Sequence, residues 1–425
     1  MPFPENTPPP VPEPEWGGFP ADAAAPAEPL ATGRLEALRA RRLFRRFERP
    51  APSPGRTAAL HIGLFVLTLV TTTLAGIQLT RGAVDFLPLD VFALRGAALW
   101  AELRRGLWFA LPFLGVLTVH EFGHYFVARY NRVRTSLPYY IPFPLGLGTF
   151  GAVIRIRQRI FSRREFFDIG LAGPLAGFLV SVPLLIYGFT HLPPLSYLFS
   201  IHPEYARYGA RYAEFVYQNQ AAGQDFTLAR PLLYRWLESA FADPALLPHP
   251  LELLHYPVLL AGALSLFFTA LNLLPMGQLD GGHILYGLLG PRRFNRLVPL
   301  LFTAFLFYAG LGLFTLHDTW QVWAYGGPVY AGYLALVCWR VLPRPQQGLL
   351  LAASIWAAQL AATVAWPGTI GNPGWLVFGL LLGRLTGIYH PPAPDEQPLS
   401  AGRKALGWLM LLIFVVCFTP SPFSL

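Results

Sequence analysis

Two histidines with a glutamate between them lie inside a long apolar segment, an unusual place for three ionisable side chains. His120, Glu121 and His124 form the pattern His-Glu-x-x-His within residues 107–130. Residues four apart share one face of a helix, so both imidazoles can reach one metal ion. The motif alone is short and recurs by chance. Ionisable groups are costly inside a membrane helix, however, and usually mark a functional site.

A carboxylate that could complete a metal site occurs much later in the chain. A fourth apolar segment, at about 256–274, ends in a stretch rich in proline and glycine that carries Asp280. If this segment crosses the membrane from outside to inside, Asp280 reaches the same face as His120 and His124. Catalytic zinc usually has three protein ligands and an open position. These three residues are therefore the predicted ligands of one Zn²⁺ per chain.

This residue set predicts metal-assisted peptide hydrolysis. Glu121 would take the proton of an activated water and pass it to the leaving amine. Asn272, two turns before Asp280, could donate a hydrogen bond to the substrate carbonyl, or it could simply tie two helices together. His283 is expected beside the metal rather than bound to it, because a fourth protein ligand would close the site.

The composition is that of a membrane protein. Of the 425 residues, 54% are hydrophobic and 13% are charged, whereas soluble domains carry about 25% charged residues. The net charge is +9, but the arginines occupy short segments between apolar runs, which favours membrane-flanking positions over nucleic-acid binding. Cys338 and Cys417 lie in apolar runs and do not form a disulfide framework or a Cys-x-x-Cys zinc site.

The chain divides into a tail, a metal-binding core and a further membrane region. Residues 1–57 are rich in proline and arginine and are expected to be a disordered cytoplasmic tail. Within the tail, residues 35–44 could form an amphipathic helix on anionic lipid or stay solvated. Residues 58–106 hold the first span and a loop, residues 107–290 the protease-like core, and residues 291–425 additional spans.

The predicted fold is an all-α polytopic membrane protein with about eight or nine transmembrane helices. The candidate spans are residues 58–79, 107–130, 166–189, 256–274, 297–316, 322–341, 349–366, 373–389 and 404–420. Eight arginines lie between Arg129 and Arg164, after the second span. By the positive-inside rule they place the active site toward the cytoplasm. The expected location is a bacterial inner membrane.

Residues 137–157 lack helical character. Prolines and glycines interrupt the stretch, and Val153 to Arg157 alternate with the two-residue period of a strand. Such backbone is tolerated at membrane depth only against protein or a wet cavity. A small re-entrant β-hairpin near the metal site is therefore expected, with a surface hairpin on the lipid headgroups as the alternative.

The third span contains several glycines and is followed by a polar insert. Its glycines, Gly170, Gly173 and Gly177, are small enough to let helices approach closely, and packing rather than catalysis is their expected role. Residues 190–255 form a polar insert, which we interpret as an extracytoplasmic cap. Its four histidines do not have the spacing of metal ligands and are expected at the surface. Short helices are expected at 203–217 and 230–241.

Four motifs occur in a fixed order: His120-Glu-Phe-Gly-His124, Gly148-Thr-Phe-Gly-Ala152, Gly173-Pro-Leu-Ala-Gly177 and Asn272-x-x-Pro-x-x-x-Leu-Asp280-Gly-Gly282. Together they resemble the site-2 protease family of intramembrane zinc metalloproteases, and the second motif is most similar to the branch containing the plant EGY proteases. The resemblance covers about residues 107–290. It implies that a substrate's transmembrane segment unwinds, pairs with a strand within 141–157 and is cut in or near the membrane. The insert does not resemble the PDZ domain of other members.

Two other functions are compatible with the sequence. An ion- or proton-coupled transporter could use the intramembrane histidines and carboxylates, although no inverted repeat is evident. A catalytically idle scaffold is disfavoured because the motifs are intact. The expected partners are transmembrane protein substrates and the lipid bilayer, and no nucleic acid.

Overall fold

A computed structural model describes residues 54–82, 89–217 and 227–424. The chain divides between Thr57 and Ala58, and the unit described below is Ala58–Leu425 together with the start of its first helix. In the described ranges the chain is mostly helical and contains two short antiparallel sheets. The predicted disordered tail, with its amphipathic segment at 35–44, falls almost entirely outside the described residues.

The described helices are α1 Pro54–Thr80, α2 Gly96–Tyr130, α3 Arg163–Thr190, α4 Ser196–Ile201, α5 Tyr212–Val216, α6 Leu232–Phe241, α7 Pro257–Asn272, α8 Asp280–Leu289, α9 Pro291–Ala309, α10 Gly327–Cys338, α11 Pro345–Ala365, α12 Trp375–Leu380 and α13 Ala401–Cys417. The 3₁₀-helices are Leu89–Ala93, Pro203–Arg211 and Pro250–His255, and the π-helical segments are Val322–Gly326 and Leu381–Thr386. Strand β1 Tyr139–Pro142 pairs with β2 Thr149–Val153, and β3 Thr227–Leu228 pairs with β4 Phe423–Ser424.

Four of the described helices, α1, α2, α3 and α11, are long and apolar enough to cross a membrane. The prediction of eight or nine spans is therefore not confirmed. Helix α7, predicted as a span, has 16 residues, which is about 24 Å at 1.5 Å per residue and short of the roughly 30 Å of a bilayer core. Most of its side chains are buried among neighbouring helices. Its apolar sequence thus reflects a position inside the protein.

Helix α3 lies at the centre of the metal-site region and packs against α2, α7 and α8. On the outside, α1 exposes a stripe of large apolar side chains with half or more of their surface accessible: Leu60, Ile62, Val66, Leu67 and Val70. A stripe of this kind is suited to lipid rather than to water.

The predicted β-hairpin is present and lies against α1. Thr71 Oγ1 donates a hydrogen bond to the Gly148 carbonyl at 2.6 Å. Gly148 has φ +81°, and a Cβ there would lie 2.3 Å from the Thr72 Cα, so this contact requires glycine. The regular strand is Thr149–Val153 rather than the predicted 153–157. Beyond it the pairing continues as an isolated bridge between Thr135 and Ile156.

The described part of the insert consists of short elements close to the predicted helices. The 3₁₀-helix Pro203–Arg211 and α5 lie within 203–217, and α6 lies within 230–241. The expectation that the insert histidines are surface groups is wrong for His255, which is 5% exposed. Its Nδ1 donates to the Thr80 carbonyl at 2.6 Å, which joins the end of the insert to the end of α1.

Helices α1 and α2 cross where each has a glycine. A Cβ on Gly106 would lie 2.3 Å from the Thr73 carbonyl oxygen, whereas a Cβ on Gly115 of the same helix would meet nothing within 4 Å. We expect Gly106→Ala to lower the free energy of unfolding by about 1–3 kcal/mol, because the crossing must widen. Gly115→Ala should be neutral or stabilising by about 0.4–1 kcal/mol. Unfolding of the two detergent-solubilised variants checks this, and equal stability would contradict it.

Candidate active site

The structure brings the three predicted metal ligands together. The Nε2 atoms of His120 and His124 lie 3.1 Å apart, and Asp280 Oδ2 lies 3.4 Å and 3.3 Å from them. In a tetrahedral site with Zn–N bonds of about 2.0–2.1 Å, ligand atoms are about 3.3 Å apart. The spacing of the three atoms, two nitrogens and one oxygen, therefore fits one zinc ion.

Helix α2 presents the two imidazoles from successive turns of one face. His124 Nδ1 donates a hydrogen bond to the Ile169 carbonyl of α3 at 2.7 Å. A carbonyl can only accept, so the proton of the neutral ring is on Nδ1 and the lone pair of Nε2 faces Asp280. Orienting bonds of this kind are typical of metal-binding histidines.

Asp280 reaches the histidines because α8 begins at this residue, directly after a tight turn. A Cβ on Gly281 would lie 2.0 Å from the Leu273 carbonyl oxygen, and one on Gly282 would lie 2.3 Å from the Gly277 carbonyl oxygen. The two glycines therefore let the first turn of α8 pack on the preceding loop. In that first turn the Asp280 carboxylate also interacts favourably with the helix dipole.

Two glycines of α3 receive the ligand rings directly. A Cβ on Gly173 would lie 2.1 Å from His124 Nε2, and one on Gly177 would lie 3.3 Å from His120 Cβ and Nδ1. Packing was the role expected of these glycines, and they do serve packing. What they pack against, however, is the predicted ligands themselves, so their size sets the position of both imidazoles.

Glu121 is buried next to the ligands at 6% exposure. The backbone N–H of Ile154, the residue after β2, is close enough to its carboxylate to interact with it electrostatically. The end of β2 thus lies near the predicted catalytic base.

Asn272, at the end of α7, lies on the other side of the cluster. Its Nδ2 is 3.4 Å from His120 Nε2. Both residues line a cavity of about 20 Å³ together with Thr149 and Gly151 of β2. By this measure one water needs roughly 10–15 Å³ and polar partners. There is space for one water-sized group between Asn272, the hairpin and His120.

His283 lies beside the cluster without joining the ligand atoms. Its Nδ1 is 2.7 Å from His390 Nε2, and a Cβ on Gly170 would lie 2.6 Å from its Cβ. His390 in turn stacks on Tyr286 at 3.8 Å. Sequence reasoning missed His390, because it follows the last π-helical segment in a stretch with no periodic pattern.

Residues 108–316 match the sequence profile of Peptidase family M50. This segment belongs to that family. The chain is 31% identical over 234 residues to the probable chloroplastic zinc metalloprotease EGY1 of Arabidopsis thaliana, covering 55% of this chain and 36% of the relative. It is 30% identical over 242 residues to EGY1 of Oryza sativa subsp. japonica, covering 56% and 36%. The chain spans about a third of the length of these relatives, and no solved structure matches it significantly.

The comparisons confirm the predicted family and its EGY-like branch, and the EGY1 relatives are named as probable zinc metalloproteases. Together with the apolar helices they support a membrane protein. They give no support to a bacterial inner membrane, since the relatives are named as chloroplastic. The family match extends to residue 316, beyond the predicted core boundary at 290.

The contact between Gly173 and His124 can be tested by enlarging the side chain of residue 173. Gly173→Ala should weaken zinc binding by about tenfold or more, because loss of even an orienting partner of a ligand costs about 10–100-fold and here the ligand ring itself must move. The control is Gly188→Ala on the same helix, whose Cβ would instead press on Leu259 Cδ2 at 2.7 Å. Metal titration followed by elemental analysis measures the effect. A Gly173→Ala protein with parental zinc affinity would contradict the proposed ligand position.

Proposed function

We propose that this chain is an intramembrane zinc endopeptidase that hydrolyses peptide bonds in or near the transmembrane segments of membrane proteins. The observation that carries the proposal is the convergence of two imidazoles from an apolar helix with a carboxylate from more than 150 residues later. Such groups are costly at membrane depth unless they serve a function. Membership of residues 108–316 in Peptidase family M50 agrees with it.

His120, His124 and Asp280 would hold one zinc ion. When bound, zinc acts as a Lewis acid that makes water a nucleophile near neutral pH and polarises a carbonyl. Three protein ligands leave a position open for substrate. The cavity beside His120 and Asn272 lies where that position would be needed.

Glu121 would act as general base and then general acid. It follows a ligand directly in sequence and is buried among the cluster. It can therefore accept a proton from the attacking water and deliver it to the leaving amine without exchange with bulk solvent. Asn272 would donate its amide hydrogens to the substrate carbonyl oxygen, a role supported by the 3.4 Å separation between its Nδ2 and the ligand atom of His120.

The outer edge of β2 would hold the substrate in extended form. Arg155 O accepts from Ser136 N, and Arg157 N donates to Arg134 O, so these backbone groups face the β1 side of the hairpin. With the two-residue period of a strand, Ala152 and Ile154 present their N–H groups to the opposite edge. The Ile154 end of that edge lies near Glu121. A peptide added as a strand there would expose its scissile bond to the catalytic groups.

The arginine-rich side of the membrane would carry the active site. The basic residues that follow α2 lie around the hairpin and the start of α3: Arg129, Arg132, Arg134, Arg155, Arg157, Arg159, Arg163 and Arg164. Positively charged loops beside membrane spans are usually kept on the cytoplasmic side of the membrane. Substrates would therefore be cut toward that face.

Glu121→Gln should keep zinc and lower cleavage of a model transmembrane substrate by about 10²–10⁴-fold, the usual contribution of a general base. Purified full-length protein in lipid vesicles, assayed by mass spectrometry of the fragments together with zinc analysis, measures both quantities. Glu102→Gln is the matched control, because Glu102 lies on the same helix but pairs with Arg81 at the other end. Undiminished cleavage by Glu121→Gln would reject Glu121 as the base. Zinc uptake into the vesicles without any cleavage would favour a transporter.

Ala152→Pro removes an N–H from the outer edge of β2, and proline is tolerated at the edge of a sheet. We expect cleavage to fall with KM raised and zinc content unchanged, because a substrate strand loses one backbone hydrogen bond. Ala152→Gly keeps the N–H and should keep activity. Parental KM in the proline variant would show that substrates do not pair with this edge.

A further inference from the structure

Among the described residues, one other group brings two imidazoles and a carboxylate together. His202, Glu252 and His255 place their ligand-type atoms within 4.8 Å of one another. All three belong to the insert. His202 directly follows α4, and the other two lie three residues apart on the 3₁₀-helix before α7.

The geometry of this group closely repeats that of the candidate active site. The Nε2 atoms of His202 and His255 are 3.1 Å apart, the same separation as in the first pair. The ring centroids are 4.9 Å apart with planes at 72°, against 4.8 Å and 75°. Glu252 Oε2 lies 3.2 Å from His255 Nε2 and 3.8 Å from His202 Nε2. These separations are near the about 3.3 Å expected between tetrahedral zinc ligands.

The hydrogen bonds at the far side of each ring direct both lone pairs inward. His255 Nδ1 faces the Thr80 carbonyl at 2.6 Å, and His202 Nδ1 faces the Glu204 carboxylate at 3.2 Å. Both acceptors lack a hydrogen, so each neutral ring keeps its proton on Nδ1. The two Nε2 lone pairs then point at each other and at a carboxylate oxygen. A metal cation bound between them would satisfy this concentration of electron pairs.

The carboxylate of Glu252 is held in place by its surroundings. Its other oxygen accepts a hydrogen bond from the Tyr217 hydroxyl, which fixes the carboxylate, and its side chain is 3% exposed.

This second group lies at the opposite end of α7 from the first. Asn272, beside His120, ends α7, while His255 directly precedes the start of that helix. Sixteen residues at 1.5 Å each separate the two ends by about 24 Å. The groups cannot share one metal ion, and the second has no access to Glu121.

We propose that His202, Glu252 and His255 bind a second divalent metal ion of the zinc type, which clamps the insert to the ends of α1 and α7. His202 belongs to the insert helices, Glu252 and His255 to the segment that leads into α7, and Thr80 to the end of α1. Binding one ion would couple these elements. His202 has a side chain 27% exposed, which leaves room for a water as a further ligand and a path by which the ion enters.

The test is the zinc content of full-length protein in detergent, loaded with Zn²⁺ alone, desalted and analysed for metal. The parent should hold about two zinc ions per chain. His202→Gln and Glu252→Gln should each hold about one, since loss of a ligand weakens binding by about tenfold or more. His191→Gln, an exposed histidine of the same insert that contacts Thr190, is the control and should hold two.

A second readout separates a metal clamp from a network of hydrogen bonds. Zinc should raise the thermal unfolding midpoint of Glu121→Gln protein, whose first site is intact, and this rise should be smaller when His202→Gln is added. Variants that lower stability but keep the parental zinc content would overturn the proposal, as would a parent that holds one zinc ion. The result does not depend on peptide cleavage, so it stands apart from the test of the proposed protease activity.

Discussion

The candidate active site depends on how closely α2 and α3 approach. A Cβ on Gly123 would lie 2.6 Å from the Ala172 carbonyl oxygen, and one on Gly173 would overlap the His124 ring. Only because side chains are absent at this crossing can His124 reach the Ile169 carbonyl and turn its other nitrogen toward Asp280. Close backbone contact through small residues is the usual means of joining membrane helices. Here the same contact also sets the ligand geometry.

Local periodicity was enough to predict that His120, His124 and Asp280 come together, but not which contacts hold them in place. Spacing of four on a helix paired His120 with His124, and an alternation of membrane crossings placed Asp280 on their side. The glycine contacts could not be predicted, because the sequence does not show whether a glycine packs against lipid, a helix backbone or an imidazole. His390 was missed for a related reason. It hydrogen-bonds to His283, which is 107 residues away in sequence, and a local sequence pattern cannot identify so distant a partner.

The number of spans is not confirmed, for a different physical reason. An apolar run reports that a segment avoids water, and both lipid and a protein interior satisfy this requirement. Helix α7 is almost wholly buried by other helices, whereas α1 exposes its apolar stripe. Helix α7 is the more hydrophobic of the two in sequence, but it has 16 residues and α1 has 27. The turn after Asn272 ends α7 early, and that early end is what brings the loop and Asp280 down to the histidines.

Helix α1 contacts both the β-hairpin and the second cluster of histidines. Near its start His61 Nδ1 donates to the Pro138 carbonyl at 2.9 Å, and Thr71 holds Gly148, so α1 supports the hairpin on which a substrate would pair. At its end Thr80 accepts from His255 of the second cluster. A single helix is stiff along its axis. A clamp at His202, Glu252 and His255 would therefore hold the end of the same helix that supports the hairpin.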